Sequence, residues 1–174
     1  VALLPVFLAL AAFIKILSPG PVIFRQTRVG YRGRSFTFLK FRTMAHKSDQ
    51  GGHQEYLKSL IAADQPMAKL DCGPGGRDPR LIPGAAAIRK LALDELPQLV
   101  NVLRGEMSLV GPRPCIPYEA QEYLRWHTRR FEVVPGLTGL WQVSGKNKLS
   151  FKEMIRLDNK YARNLSFWLD LRIL

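Results

Sequence analysis

The chain has 174 residues, 47% hydrophobic and 23% charged, a balance that excludes both intrinsic disorder and an ordinary polytopic membrane protein. Its 26 Lys and Arg against 14 Asp and Glu leave a formal net charge of +12, so the expected partners are polyanions: nucleic acid, an anionic bilayer or phosphorylated small molecules. Two cysteines, Cys72 and Cys115, make neither a disulfide framework nor a zinc site, and both are expected as reduced thiols facing the cytoplasm.

Val1 to Ile14 carries no charge and is interrupted by Pro5. The run is shorter than the roughly 20 apolar residues a spanning helix needs. It also lacks the charged segment and the cleavage site of a signal peptide. The chain begins with Val rather than Met, so the membrane segment is expected to extend upstream. Pro5 removes a helical N–H, and a helix running through it would kink, enter the bilayer and leave by the same face. A buried N-terminal core helix is the alternative.

Between Val1 and Ser48 stand eight basic residues, Lys15, Arg25, Arg28, Arg32, Arg34, Lys40, Arg42 and Lys47, and no acidic one. Such asymmetry is expected just cytoplasmic of a membrane segment. Val22 to Phe24 and Ser35 to Met44 read as strands of a hairpin turned at Gly30 and Gly33. A period of two puts Phe36, Phe38, Lys40, Arg42 and Met44 on one face. The two cations there suit a phosphate, and equally a solvated strand edge.

His46 to Gly76 reads as a variable excursion around a short helix, Glu55 to Ala63. Gly73, Gly75 and Gly76 predict a turn, because the ending of a phosphate-binding loop is missing and Pro74 removes a donor. Downstream, Pro97 suits a first helical turn and Gly105 a C-terminal cap, with Leu96, Leu99, Val100 and Leu103 as the apolar stripe. Asp94 and Glu95 are thereby expected at a helix N-terminus, where anions are favoured and where an ordinary acidic cap is the plainer reading. Prolines stiffen the backbone around Arg113, and Gly111 permits a tight approach. Residues 135–146 form a second glycine-punctuated loop ending in Lys146. Ser150 and Glu153 form a capping box opening a helix through about Arg163 that carries Asp158.

Five segments taken together resemble the bacterial sugar transferases, the monotopic polyprenyl-phosphate phosphoglycosyl transferases. They are Ser-Pro-Gly-Pro-Val-Ile-Phe-Arg-Gln at 18–26, Lys-Phe-Arg-Thr-Met at 40–44, Leu-Asp-Glu-Leu-Pro-Gln-Leu at 93–99, Gly-Glu-Met-Ser-Leu-Val-Gly-Pro-Arg-Pro at 105–114 and Pro-Gly-Leu-Thr-Gly-Leu-Trp-Gln-Val-Ser-Gly at 135–145. The likeness covers nearly the whole chain in order. One departure is Leu4, where many members have Ser before the membrane proline.

The resemblance implies transfer of a sugar 1-phosphate from a nucleoside diphosphate sugar, usually a UDP-sugar, to undecaprenyl phosphate, with release of the nucleoside monophosphate. It implies Asp94 as nucleophile, Glu95 as a Mg²⁺ ligand, and Lys40, Arg89 and Arg113 as phosphate clamps. Arg42, Lys146 and Asp158 are weaker site candidates, each fitting a structural role equally well. The expected fold is α+β: a kinked re-entrant membrane helix over residues 1–20, then a cytoplasmic catalytic domain over 21–174 with a β-hairpin and several helices. Some of those helices, in 118–131 and 164–174, would lie on the interface. The expected location is the cytoplasmic face of the bacterial inner membrane, on anionic lipids. Homo-oligomerisation and the identity of the sugar stay open. The rivals are a basic nucleic-acid module, whose helix-turn-helix, zinc and RNA-recognition patterns are all missing, and a non-catalytic scaffold that binds lipid phosphate.

Overall fold

The computed structural model describes residues 3–45, 55, 58–61, 63, 64 and 80–174. Cys72 and the glycines at 73–76 lie outside them. Of the helix expected over 55–63, residues 55, 58–61 and 63 are helical. The fold mixes helices with two small two-stranded sheets, as an α+β chain should.

Helix α1 (Leu4–Leu17) is apolar apart from Lys15 in its last turn. Its inner side sets Phe7, Leu10, Ala11 and the fully buried Ile14 against Phe41, Ile82 and Ile88, with the Phe7 and Phe41 rings 5.4 Å apart. Its outer side leaves Leu4, Leu8 and Ile16 exposed. Pro5 stands in the first turn, where a missing N–H removes no hydrogen bond. The kink expected at Pro5 would involve the turn before it, at the edge of the described residues. Among the described residues no helix is long and apolar enough to cross a membrane.

Strands β1 (Ile23–Val29) and β2 (Ser35–Phe41) form the expected antiparallel hairpin, pairing Ile23 with Phe41 through Val29 with Ser35. The polar run 25–28 hides the true length of β1, because backbone pairing rather than apolar alternation carries it. β2 ends earlier than expected. Beyond Phe41, Met44 bridges to Leu81 instead.

Helix α2 (Ala85–Lys90) leads into a 3₁₀ turn over Leu93–Glu95, and α3 (Gln98–Leu103) follows. Asp94 and Glu95 therefore occupy their own turn instead of the first turn of α3. Pro97 has no N–H to continue the bonding, and this separates the two elements. The predicted stripe on α3 is also corrected. Leu103 is 87% exposed, whereas Gln98 and Asn101 are 2% and 0% exposed. The Asn101 amide explains the rotation: its Oδ1 accepts from Leu39 N–H at 3.2 Å, and its Nδ2 donates to Thr37 O and Glu106 Oε2, each at 2.7 Å. Those bonds tie α3 to β2.

The two glycine-punctuated loops pair as parallel strands β3 (Ser108–Val110) and β4 (Gly136–Thr138). A Cβ on Gly136 would lie 2.1 Å from Gly111 N, so the sheet closes only with glycine there. Helix α4 (Pro117–Gln121) is short, and a separate 3₁₀ turn spans His127–Glu132, so 118–131 is not one in-plane helix. Leu124 N–H turns off the helical path to donate to His127 Nδ1, while Tyr123, Trp126 and His127 pack against Phe151.

After the short helix α5 (Leu140–Val143) comes α6 (Phe151–Arg163), opened by the predicted reciprocal capping of Ser150 and Glu153. Helix α7 (Phe167–Ile173) buries Ile173 against Val110 and Tyr161 and exposes Phe167, Trp168 and Leu171.

Candidate active site

The acidic pair is set by a backbone feature. Ala92 adopts φ 54° at the end of α2, reversing the chain so that Leu93–Glu95 turns back towards β2. Asp94 is 7% exposed, while Glu95 is half-buried and lies 3.8 Å from Arg113 Nη1. Both members of that ion pair are partly solvated, so it contributes at most about 1 kcal/mol and leaves Glu95 free to exchange partners.

Opposite the turn, Lys40 extends from β2. Burial pushes its ammonium below the ordinary lysine value, and the positive charge of Arg113 adds to this; Asp94 opposes it, and Arg89 and Arg28 lower it further. Arg28 is shifted down to about 10, by burial first and Arg113 second. Lys40 and Arg113 thus flank the carboxylate turn, with Arg28 and Arg89 gathered around Lys40. Like charges gathered without enough acid to neutralise them mark a site that is stabilised when an anion enters.

Of the residues singled out from the sequence, Lys40 neighbours Asp94, Arg89 and Arg113, and Arg113 pairs with Glu95. Arg42 does not join them: it is 4% exposed, and its guanidinium donates to Pro19 O at 2.5 Å and Ser18 O at 2.7 Å, closing the C-terminal end of α1. Lys146 is exposed in the 3₁₀ turn Lys146–Lys148 and makes no described bond to the group. Asp158, 1% exposed, pairs with Arg130 Nη2 at 2.8 Å. Arg130 donates in turn to Arg113 O at 2.7 Å and to Tyr123 Oη at 2.6 Å, so Asp158 reaches the site only through the backbone of Arg113.

Arg28 was not among the sequence candidates. Its Nη1 donates to Pro114 O at 3.1 Å and its guanidinium lies 5.2 Å from the Phe38 ring centre, so both loop and strand hold it. Its only sequence signal was membership of the acid-free basic run. Gln98 was missed as well; its buried Nε2 has no partner among the described residues.

Asp94 and Glu95 are two hard-oxygen donors in one turn, and no cluster of three or more potential metal ligands occurs among the described residues. Mg²⁺ keeps several waters and commonly takes one or two carboxylates with substrate phosphates, so this donor pair fits it.

The chain matches the family model described as bacterial sugar transferase over residues 1–174. It is 41% identical over 171 residues to the exopolysaccharide production protein ExoY of Rhizobium meliloti, covering 97% of this chain and 74% of that one. It is 42% identical over 158 residues to the undecaprenyl-phosphate galactose phosphotransferase of Salmonella typhimurium, covering 89% of this chain and 32% of that one. A third relative is the UDP-glucose:undecaprenyl-phosphate glucose-1-phosphate transferase of Xanthomonas campestris, 37% identical over 179 residues and matched over 98% of this chain and 33% of its own. With the whole chain matched by the family model, this protein belongs to the bacterial sugar transferases and is a transferase enzyme.

Proposed function

We propose that the chain transfers a sugar 1-phosphate from a UDP-sugar to undecaprenyl phosphate, releasing UMP, at the cytoplasmic face of a bacterial inner membrane. The observation that carries this reading is that Lys40 lies between Asp94 and the cations Arg113, Arg89 and Arg28, with Arg113 Nη1 3.8 Å from Glu95. A pyrophosphate donor and a lipid phosphate are both polyanions, and a site that exchanges one for the other needs fixed positive charge around one nucleophile. The names of the Salmonella and Xanthomonas relatives support the lipid acceptor and the sugar-phosphate donor.

The reaction is proposed in two steps. An Asp94 carboxylate oxygen attacks the sugar-linked phosphorus, the bond to the bridging oxygen breaks, and UMP leaves with the electron pair. An oxygen of the lipid phosphate then attacks the same phosphorus, the acyl phosphate bond breaks, and the Asp94 carboxylate is regenerated. Glu95, with Asp94, would hold Mg²⁺, which when bound offsets the charge of the diphosphate. Arg113 presents a planar fork to the phosphate oxygens, and Lys40 places a point charge beside Asp94. Helix α1, exposing Leu4, Leu8 and Ile16, and α7, exposing Phe167 and Trp168, would seat the chain on the bilayer, α1 as part of a re-entrant helix.

Incubation with undecaprenyl phosphate, Mg²⁺ and a panel of UDP-sugars, followed by UMP release, tests the reading. Turnover with one sugar supports it. No release with any nucleotide sugar contradicts it.

A further inference from the structure

On the face formed by the 3₁₀ turn His127–Glu132 and helix α6 lies an open cavity of about 1050 Å³. Arg125, Arg129, Arg156, Lys160 and Arg163 line it with one acid, Glu132, and none of the five cations has an ion-pair partner among the described residues. None of the residues proposed for catalysis lines it.

The sequence places these charges against one another. Arg156 and Lys160 are four apart on α6, and Lys160 and Arg163 three apart, so like charges are neighbours on one helix face; Arg125 and Arg129 cross the gap from the other wall. Such pairs destabilise a helix unless an anion sits between them. The walls are nonetheless fixed. The buried Arg130–Asp158 pair joins the turn to α6 at 2.8 Å, and Asn159 Nδ2 donates to Trp126 O at 2.8 Å. Asn159 itself lines the cavity and is 8% exposed, and its Oδ1 has no partner among the described residues. Two apolar side chains line the same cavity, Leu124, which is 58% exposed, and Trp126.

From these relationships we infer that the cavity binds the headgroup of an acidic phospholipid, with its phosphate among the five cations and its chains towards Leu124 and Trp126. Apolar residues beside the cations favour a lipid over a soluble phosphate, which would gain nothing from them. The inference rests on the reading that the chain works on a membrane.

The test measures binding of the purified chain to phosphatidylcholine vesicles, to the same vesicles with one-third phosphatidylglycerol, and to inorganic pyrophosphate. Wild type should bind the acidic vesicles at least tenfold more tightly than the neutral ones. Replacing Arg125, Arg129, Arg156, Lys160 and Arg163 together by Gln should abolish that preference and leave neutral binding unchanged. Replacing the exposed Arg25, Arg32, Arg34, Arg104 and Lys148 by Gln should reduce it less than threefold. The single exposed change Lys160→Glu, which leaves packing untouched, should weaken acidic binding at least threefold. Equal losses in the two five-residue variants would show that bulk charge suffices and overturn the pocket alone. Pyrophosphate binding that depends on the pocket, with no vesicle preference, would overturn the lipid assignment. No binding to either vesicle would overturn the membrane reading and this inference with it.

Discussion

Arg130 Nη2 donates to the carbonyl oxygen of Arg113 at 2.7 Å, so a buried guanidinium fixes the backbone of a residue whose own guanidinium faces the acidic turn. Arg130 can do this because Asp158 neutralises it at 2.8 Å in a nearly solvent-free setting. Removing one partner of such a pair leaves an uncompensated buried charge. Asp158→Asn should therefore lower unfolding free energy by about 3–5 kcal/mol, read by urea denaturation. A loss under about 1 kcal/mol would show that Arg130 does not need the carboxylate.

Arg113→Lys keeps the charge but loses the fork, and kcat/KM should fall well over tenfold, or more than about 1.4 kcal/mol of transition-state stabilisation. Arg32 and Arg34, exposed in the hairpin turn, should tolerate the same change. Equal effects at all three positions would mean that only bulk positive charge matters.

Asn101→Leu strands Leu39 N–H, Thr37 O and the Glu106 carboxylate at the α3–β2 seam. With three hydrogen bonds lost, each worth about 0.5–1.5 kcal/mol net, a loss of at least about 2 kcal/mol is expected in denaturant unfolding. Activity in the fraction still folded should fall too, because the same seam holds Lys40 near Asp94.

His127 Nδ1 accepts from Leu124 N–H, and burial holds its imidazole below the ordinary histidine value. The folded state thus favours the neutral ring, while the unfolded chain takes up a proton near pH 6.5. The contribution of His127 is complete above that pH and lost as pH falls below it. Wild type should lose more melting temperature between pH 7.5 and 5.5 than His127→Phe, which keeps a ring and cannot titrate. Parallel profiles would remove His127 as a source of acid sensitivity.

Cys115 is buried, which raises its thiol to about 11. At pH 8 it should resist iodoacetamide in the folded chain and react after unfolding, as read by peptide mapping at that residue. Ready labelling in the native state would contradict its burial, at 2% exposure.

The hairpin, the Ser150–Glu153 cap and the Gly105 helix stop were legible because local rules dictate them: turn glycines, a reciprocal cap and a residue with φ 72°. The orientation of α3 was not. Its apolar residues suggested one face, but Asn101 is drawn inward by the open backbone groups of a strand some sixty residues away. The segments at 105–114 and 135–145 read correctly as constrained glycine loops, yet nothing local announced that they pair, since parallel strands depend on distant partners. Arg42 shows the same limit: its charge and spacing matched those of Lys40, and only the position of the end of α1 separates a helix clamp from a phosphate clamp.

The central claim is that Asp94 becomes covalently phosphorylated by the donor, and the most direct measurement is a half-reaction without lipid. Enzyme with its UDP-sugar and Mg²⁺ should release up to one UMP per active site, and intact-mass measurement of rapidly quenched protein should show one added sugar phosphate. Asp94→Asn should abolish both. Glu95→Gln should retain the nucleophile and recover partly at higher Mg²⁺. UMP release only when undecaprenyl phosphate is present, with no adduct on the protein, would contradict the account and favour direct attack by the lipid phosphate.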